Sequence, residues 1–209
     1  MKKREYAEWN DFWWENAGDF DDKRVALVGD SITRGYYPPV KEHFLSKGIL
    51  ADRFSGSHTA GDDAYQAEIE YIFSAANGYK YSVIHFNNGL HGGCNDTRVG
   101  IEDYKRGVTA AIETIRRLQP QAKLILATST NRVEKGKAED AFDAAFNDFI
   151  LERNEFIRAY AKENGCYLND LYEAVAWKPE YPHADGLHFA PAGYEKLASC
   201  VIDAIEKNL

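Results

Sequence analysis

Five short apolar runs, at 24–28, 51–54, 82–86, 123–127 and 166–168, punctuate the chain and read as β-strands. The first, Arg24-Val25-Ala26-Leu27-Val28, is apolar without alternation, the pattern of a strand buried on both faces of a parallel sheet. Helical stretches fall at 5–15, 39–46, 62–74, 101–118, 141–164 and 191–207. Pro191 opens the last of them, where a missing N–H costs nothing. Gln119-Pro120 and Asn164-Gly165 close the fourth and fifth. Strands alternating with helices predict an α/β fold, a five-stranded parallel sheet with helices on both faces. Residues 131–140 are a charged stretch, either a rim loop or the start of the next helix. Residues 1–20 read as an aromatic-rich helical extension carrying Trp9, Phe12, Trp13 and Trp14. That helix either packs on the domain or presents a surface for sugar stacking or self-association.

The 209 residues fit one domain with a full core, and no repeat or linker divides them. A net charge of -8 argues against a nucleic-acid surface and against adsorption to anionic membranes. Cys94, Cys166 and Cys200 are odd in number and far apart, which predicts free thiols. No run of about 18 apolar residues predicts a membrane span. Met1-Lys2-Lys3-Arg4 is followed by Glu5, Glu8 and Asp11, not by an apolar segment, so no signal peptide is expected. A cytoplasmic location is the default, although a trimmed secreted protein would read the same way.

The chemistry gathers in two places. The first strand runs into Gly29-Asp30-Ser31-Ile32, and Asp185-Gly186-Leu187-His188 stands near the far end of the chain. A serine hydroxyl becomes a nucleophile when a base takes its proton and a third group orients that base. Ser31, His188 and Asp185 supply those three groups. Alone, Asp30-Ser31 is explained as a helix cap and Asp185-x-x-His188 as a turn with a surface histidine. A flavodoxin-like strand order, 2-1-3-4-5, brings both loops to one sheet edge, together with Asn87 after the third strand and Gly56 after the second. The Ser31 N–H, the Gly56 N–H (or that of Ser57) and the Asn87 amide are then candidate oxyanion donors.

Asp30 and His91 are candidate pocket residues. Asp30 is placed to hold the loop through backbone N–H groups, and His91 and His58 are equally ordinary loop residues. His43 lies in a helical stretch and reads as structural. His183, Asp185 and His188 have the composition of a metal site, but no further cluster completes one, so no metal or other cofactor is expected. Gly-x-Ser-x-Gly, dinucleotide and P-loop fingerprints are missing.

Gly29-Asp30-Ser31-Ile32, Gly56, Asn87 and Asp185-x-x-His188 together resemble, in order, the four blocks of the SGNH (GDSL-type) hydrolases. The resemblance implies a three-layer α/β/α sandwich and hydrolysis of esters, thioesters or acetylated carbohydrates. It implies Ser31 as nucleophile, Asp185 and His188 as its partners, and Ser31, Gly56 and Asn87 as oxyanion donors. The third block departs from the family's Gly-x-Asn-Asp: His85 replaces the glycine and Asn88 the aspartate. The expected activity is cleavage of a short acyl or acetyl ester on a small molecule or glycan. A lysophospholipase or thioesterase is the nearest alternative, then a non-catalytic carbohydrate-binding protein or a metal-dependent phosphoester protein.

Overall fold

The computed structural model describes residues 5–93, 99–133, 144–176 and 178–209. Cys94 and most of the 131–140 stretch lie outside the described residues. The strands are β1 (Asn10–Trp13), β2 (Lys23–Gly29), β3 (Ile49–Gly56), β4 (Tyr81–Phe86), β5 (Lys123–Ala127) and β6 (Tyr167–Asn169). The helices are α1 (Ser31–Leu45), α2 (Asp63–Phe73), α3 (Ile101–Leu118), α4 (Ala144–Glu163), α5 (Leu171–Val175) and α6 (Pro191–Glu206). The sheet order is β1-β3-β2-β4-β5-β6, parallel except for β1, which runs antiparallel to β3. Without β1 this is the expected 2-1-3-4-5 order. The sheet has six strands instead of five.

Alternate residues of the central strands feed two cores, because successive strand side chains point to opposite faces. Val25, Leu27, Val83 and Ile125 pack with α1, α5 and α6. Ala26, Val28, Ile84, Phe86, Leu124 and Leu126 pack with α2 and α3. β2 is buried on both faces from Arg24 to Gly29, which explains its unbroken apolar run.

Two elements differ from expectation. The 5–15 segment is not a helix: Asn10–Trp13 forms an edge strand. Phe12 and Trp14, two residues apart, both meet Phe54 edge-on, while Trp13 faces outward. Pairing with β3 and this aromatic packing override the helical spacing of Trp9, Phe12 and Trp13. The second element is α1, which begins at Ser31 and passes through Pro38 and Pro39 instead of starting at Pro39. Its buried stripe of Ile32, Thr33, Tyr36, Tyr37, Val40 and Phe44 outweighs the lost backbone bonds.

The N-terminal segment is also tied down at the other end of the sheet. Arg24 and Asp52, both buried, pair at 2.9 Å, and the Arg24 guanidinium donates to the carbonyls of Glu15, Asn16 and Asp19. Asp52 also accepts the Glu15 N–H and the Tyr81 hydroxyl, so the buried carboxylate is hydrogen-bonded from several sides.

Candidate active site

Ser31 stands where β2 turns into α1. A Cβ on Gly29 would lie 2.0 Å from Thr33 Oγ1, so only glycine permits this close return of the helix onto the strand end. Asp30 caps α1, accepting the Ile32 N–H at 2.8 Å through a buried carboxyl that burial pushes above its ordinary pKa.

His188 and Asp185 arrive on the turn between α5 and α6. Gly186 has φ +78° there, and its Cβ would meet the Val133 carbonyl oxygen at 2.2 Å. Val133 N–H donates to the Gly186 carbonyl, and His183 N–H to the His188 carbonyl, each at 2.8 Å. The turn thereby delivers His188 Nε2 to 2.8 Å from Ser31 Oγ, across 157 residues of sequence. His188 Nδ1 lies 2.7 Å from Asp185 Oδ2. Asp185 Oδ1 accepts the Leu187 and His188 N–H groups at 2.9 Å each. Burial alone would raise the Asp185 carboxyl, but the His188 ring and these two N–H bonds outweigh it and hold it well below the usual carboxylate range.

Asn87 and Gly56 end the strands on either side of β2. The Asn87 backbone N–H donates to the Val28 carbonyl. Its side-chain amide donates to Ala127 O at 2.9 Å and reaches Ser129 Oγ at a longer 3.4 Å. Gly56 faces Asn10 across the β1–β3 pair. The Ser57 N–H, the alternative donor, is already bonded to Trp9 O at 3.0 Å, and Ser57 Oγ accepts the Trp9 N–H at 2.9 Å.

The two departures in the third block are both interior residues. His85 is wholly buried, accepts the Asn169 amide at its Nε2, and is pushed down to about 4 by burial, so it stays neutral. The Asn88 side chain clamps the following loop to the 58–60 segment, accepting the Ala60 N–H and donating to the His58 carbonyl.

The other histidines pair with carboxylates. His91 Nδ1 lies 3.0 Å from Glu5, which also accepts the Gly92 N–H. Burial works to lower His91, but Glu5 and the nearby Asp30 raise it overall. His58 bridges Glu8 and Glu68, and His43 meets Glu206. His183 stands 3.7 Å from Asp185. No three His, Cys, Asp or Glu among the described residues are grouped to hold a metal ion.

Sequence reasoning missed two supports of this region. Glu5 and Trp9 belong to the segment read as a helix. Buried Arg153, on α4, donates to the carbonyls of Gly89 and His91 and so fixes the loop after Asn87. Neither contact has a local signal, because each spans more than sixty residues or depends on an edge strand pairing.

The model of the GDSL-like lipase/acylhydrolase family matches residues 27–196, from within β2 to within α6. The chain belongs to that family. Its SGNH hydrolase fold recurs in solved structures. A GDSL-like lipase from Bacteroides thetaiotaomicron is 23% identical, with a TM-score of 0.68 over 90% of this chain and 89% of that one. The aryl esterase of M. smegmatis is 14% identical, with a TM-score of 0.70 over 90% and 100%. A catalytic mutant of an acetylxylan esterase from Geobacillus stearothermophilus is 16% identical, with a TM-score of 0.64 over 88% and 94%. A search of curated proteins found no match. Among the described residues, no helix of this GDSL-like hydrolase is long and apolar enough to cross a membrane.

Proposed function

We propose that this GDSL-like hydrolase cleaves carboxylic esters through an acyl-Ser31 intermediate. The observation that carries the reading is the unbroken chain Ser31 Oγ, His188, Asp185, at 2.8 and 2.7 Å. His188 Nε2 takes the hydroxyl proton as Oγ attacks the carbonyl, then gives it to the departing alcohol. Asp185 holds the Nδ1–H tautomer and stabilises the imidazolium. The Ser31 and Gly56 N–H groups and the Asn87 amide receive the oxyanion; Asn87's second N–H has only the long Ser129 contact to give up. Water activated by His188 then releases the acid and restores Ser31.

The substrate reading is a short acyl group, such as acetyl, on a carbohydrate. Two observations support it. The cavity beside the site, bounded by Ile32, Tyr36, Asn87, Leu90 and Leu171, is about 10 Å³ and leaves no room there for a long acyl chain. Aromatic Trp9, of a type that stacks on sugars, has its backbone fixed against Ser57, the residue after Gly56. The test is 4-nitrophenyl acetate turnover by wild type and Ser31→Ala, with mass spectrometry after a fluorophosphonate probe. Turnover lost in the variant and one adduct on Ser31 are expected. Wild-type rates in Ser31→Ala would overturn the serine mechanism, and rates rising from acetyl to palmitoyl esters would overturn the short-acyl reading.

A further inference from the structure

Arg34 lies three residues after Ser31 in α1, so the two side chains share one helix face about 5–6 Å apart at Cβ. It is exposed, and its guanidinium sits 4.9 Å from the Trp9 ring centre. Among the described residues no carboxylate pairs with it, in a chain with 33 acidic and 25 basic residues. Stability does not account for this placement. A cation in the first turn opposes the helix dipole, and the Asp30 carboxyl that caps this end is buried on the Ile32 N–H, not paired with Arg34.

Trp9 makes the position of that charge reproducible. Its backbone is bonded reciprocally to Ser57 and continues into β1, so the ring beneath the guanidinium rests on a fixed element. A cation held in place before binding loses less freedom on meeting an anion. His91, on the loop after Asn87, is matched by Glu5, whereas Arg34 has no carboxylate partner among the described residues. One guanidinium fork suits one carboxylate.

We propose that Arg34, held over Trp9, is a subsite for a carboxylate on the alcohol part of the ester, the chemistry of an acylated uronic acid. The proposal rests on the ester-hydrolysis reading above. With a small acyl group, the anion has to belong to the leaving alcohol.

The test compares kcat/KM for 5-acetoxy-2-nitrobenzoate, which carries a ring carboxylate, with that for neutral 4-nitrophenyl acetate. Taking the ratio of the two in each variant cancels their difference in intrinsic reactivity. Arg34→Ala lowers the ratio about tenfold, the scale of a charge-assisted hydrogen bond. Arg34→Lys retains part of it, and salt raised to about 1 M narrows the wild-type ratio. A ratio that moves less than about twofold in Arg34→Ala overturns the subsite while leaving the hydrolase standing. Absence of Ser31-dependent turnover on the neutral ester overturns the esterase reading, and the subsite with it.

Discussion

Asp185→Asn separates orientation from mere presence. The Asn carbonyl keeps the Oδ1 position and its two N–H bonds from Leu187 and His188, so the turn survives. The amide nitrogen, however, replaces Oδ2 opposite His188 Nδ1, at 2.7 Å. Two donors cannot face each other at that distance. The ring adopts the other tautomer, with Nδ1 accepting and Nε2 carrying the proton toward Ser31 Oγ, 2.8 Å away. It then cannot take the hydroxyl proton. A buried triad with this change loses about 10⁴ in kcat. Here the Asp185 side chain keeps 41% of its surface exposed, and water offsets part of the misorientation. The expected loss is therefore about 10³–10⁴ in kcat, roughly 4–5.5 kcal/mol of barrier. Steady-state hydrolysis of 4-nitrophenyl acetate at saturating substrate measures it, with a thermal melt showing that the fold is intact. A folded variant losing less than about tenfold in kcat would refute the assignment of Asp185 as orienting group.

Three further outcomes follow from the same geometry. Asn87→Ala lowers kcat about 10²–10³-fold with little change in KM, read in the same assay; a change confined to KM would assign Asn87 to ground-state binding. Gly186→Ala forces a side chain into left-handed backbone and against the Val133 carbonyl, destabilising the protein by about 1–3 kcal/mol in a denaturant melt; an unchanged midpoint would show that the turn relaxes freely. The Glu5–His91 link depends on pH from both sides: burial opposes both charges, yet Glu5 lies below its ordinary 4.5 and His91 above its ordinary 6.5. Its Glu5 contribution is present above pH 4.5 and lost as pH falls through the lowered value; its His91 contribution is complete below 6.5 and lost as pH rises through the raised one. Proteolysis of the N-terminal segment, normalised to an unstructured peptide, is then slowest between these values and accelerates above them; His91→Gln removes that acceleration, and a flat wild-type profile would refute it.

The sequence was most legible where structure is local. The unbroken apolar run of β2 declares a doubly buried strand, and the parallel order follows once strands and helices alternate. Gly29 and Gly186 mark the two turns on which Ser31 and His188 ride. What could not be read depends on partners far along the chain. Trp9, Phe12 and Trp13 have helical spacing while Phe12 and Trp14 have strand spacing. The open edge of β3, some forty residues later, decides between them. Pro39 looks like a helix start because the packing that carries α1 through it belongs to β3 and α6. The same is true of the Ser57 N–H, whose carbonyl partner, Trp9, is revealed only by the β1–β3 pairing.

Strand β1 has one more consequence, for how this protein can be re-engineered or can diverge. The four-residue strand covers the edge of β3, with Asp11 and Arg53 paired across it and Phe54 shielded by Phe12 and Trp14. Trimming the segment would leave a run of unpaired backbone donors and acceptors beside Phe54. Such an edge recruits strands from other molecules. Side chains between Glu5 and Trp9 can therefore be exchanged with the edge still covered, whereas shortening the same stretch opens it to self-association.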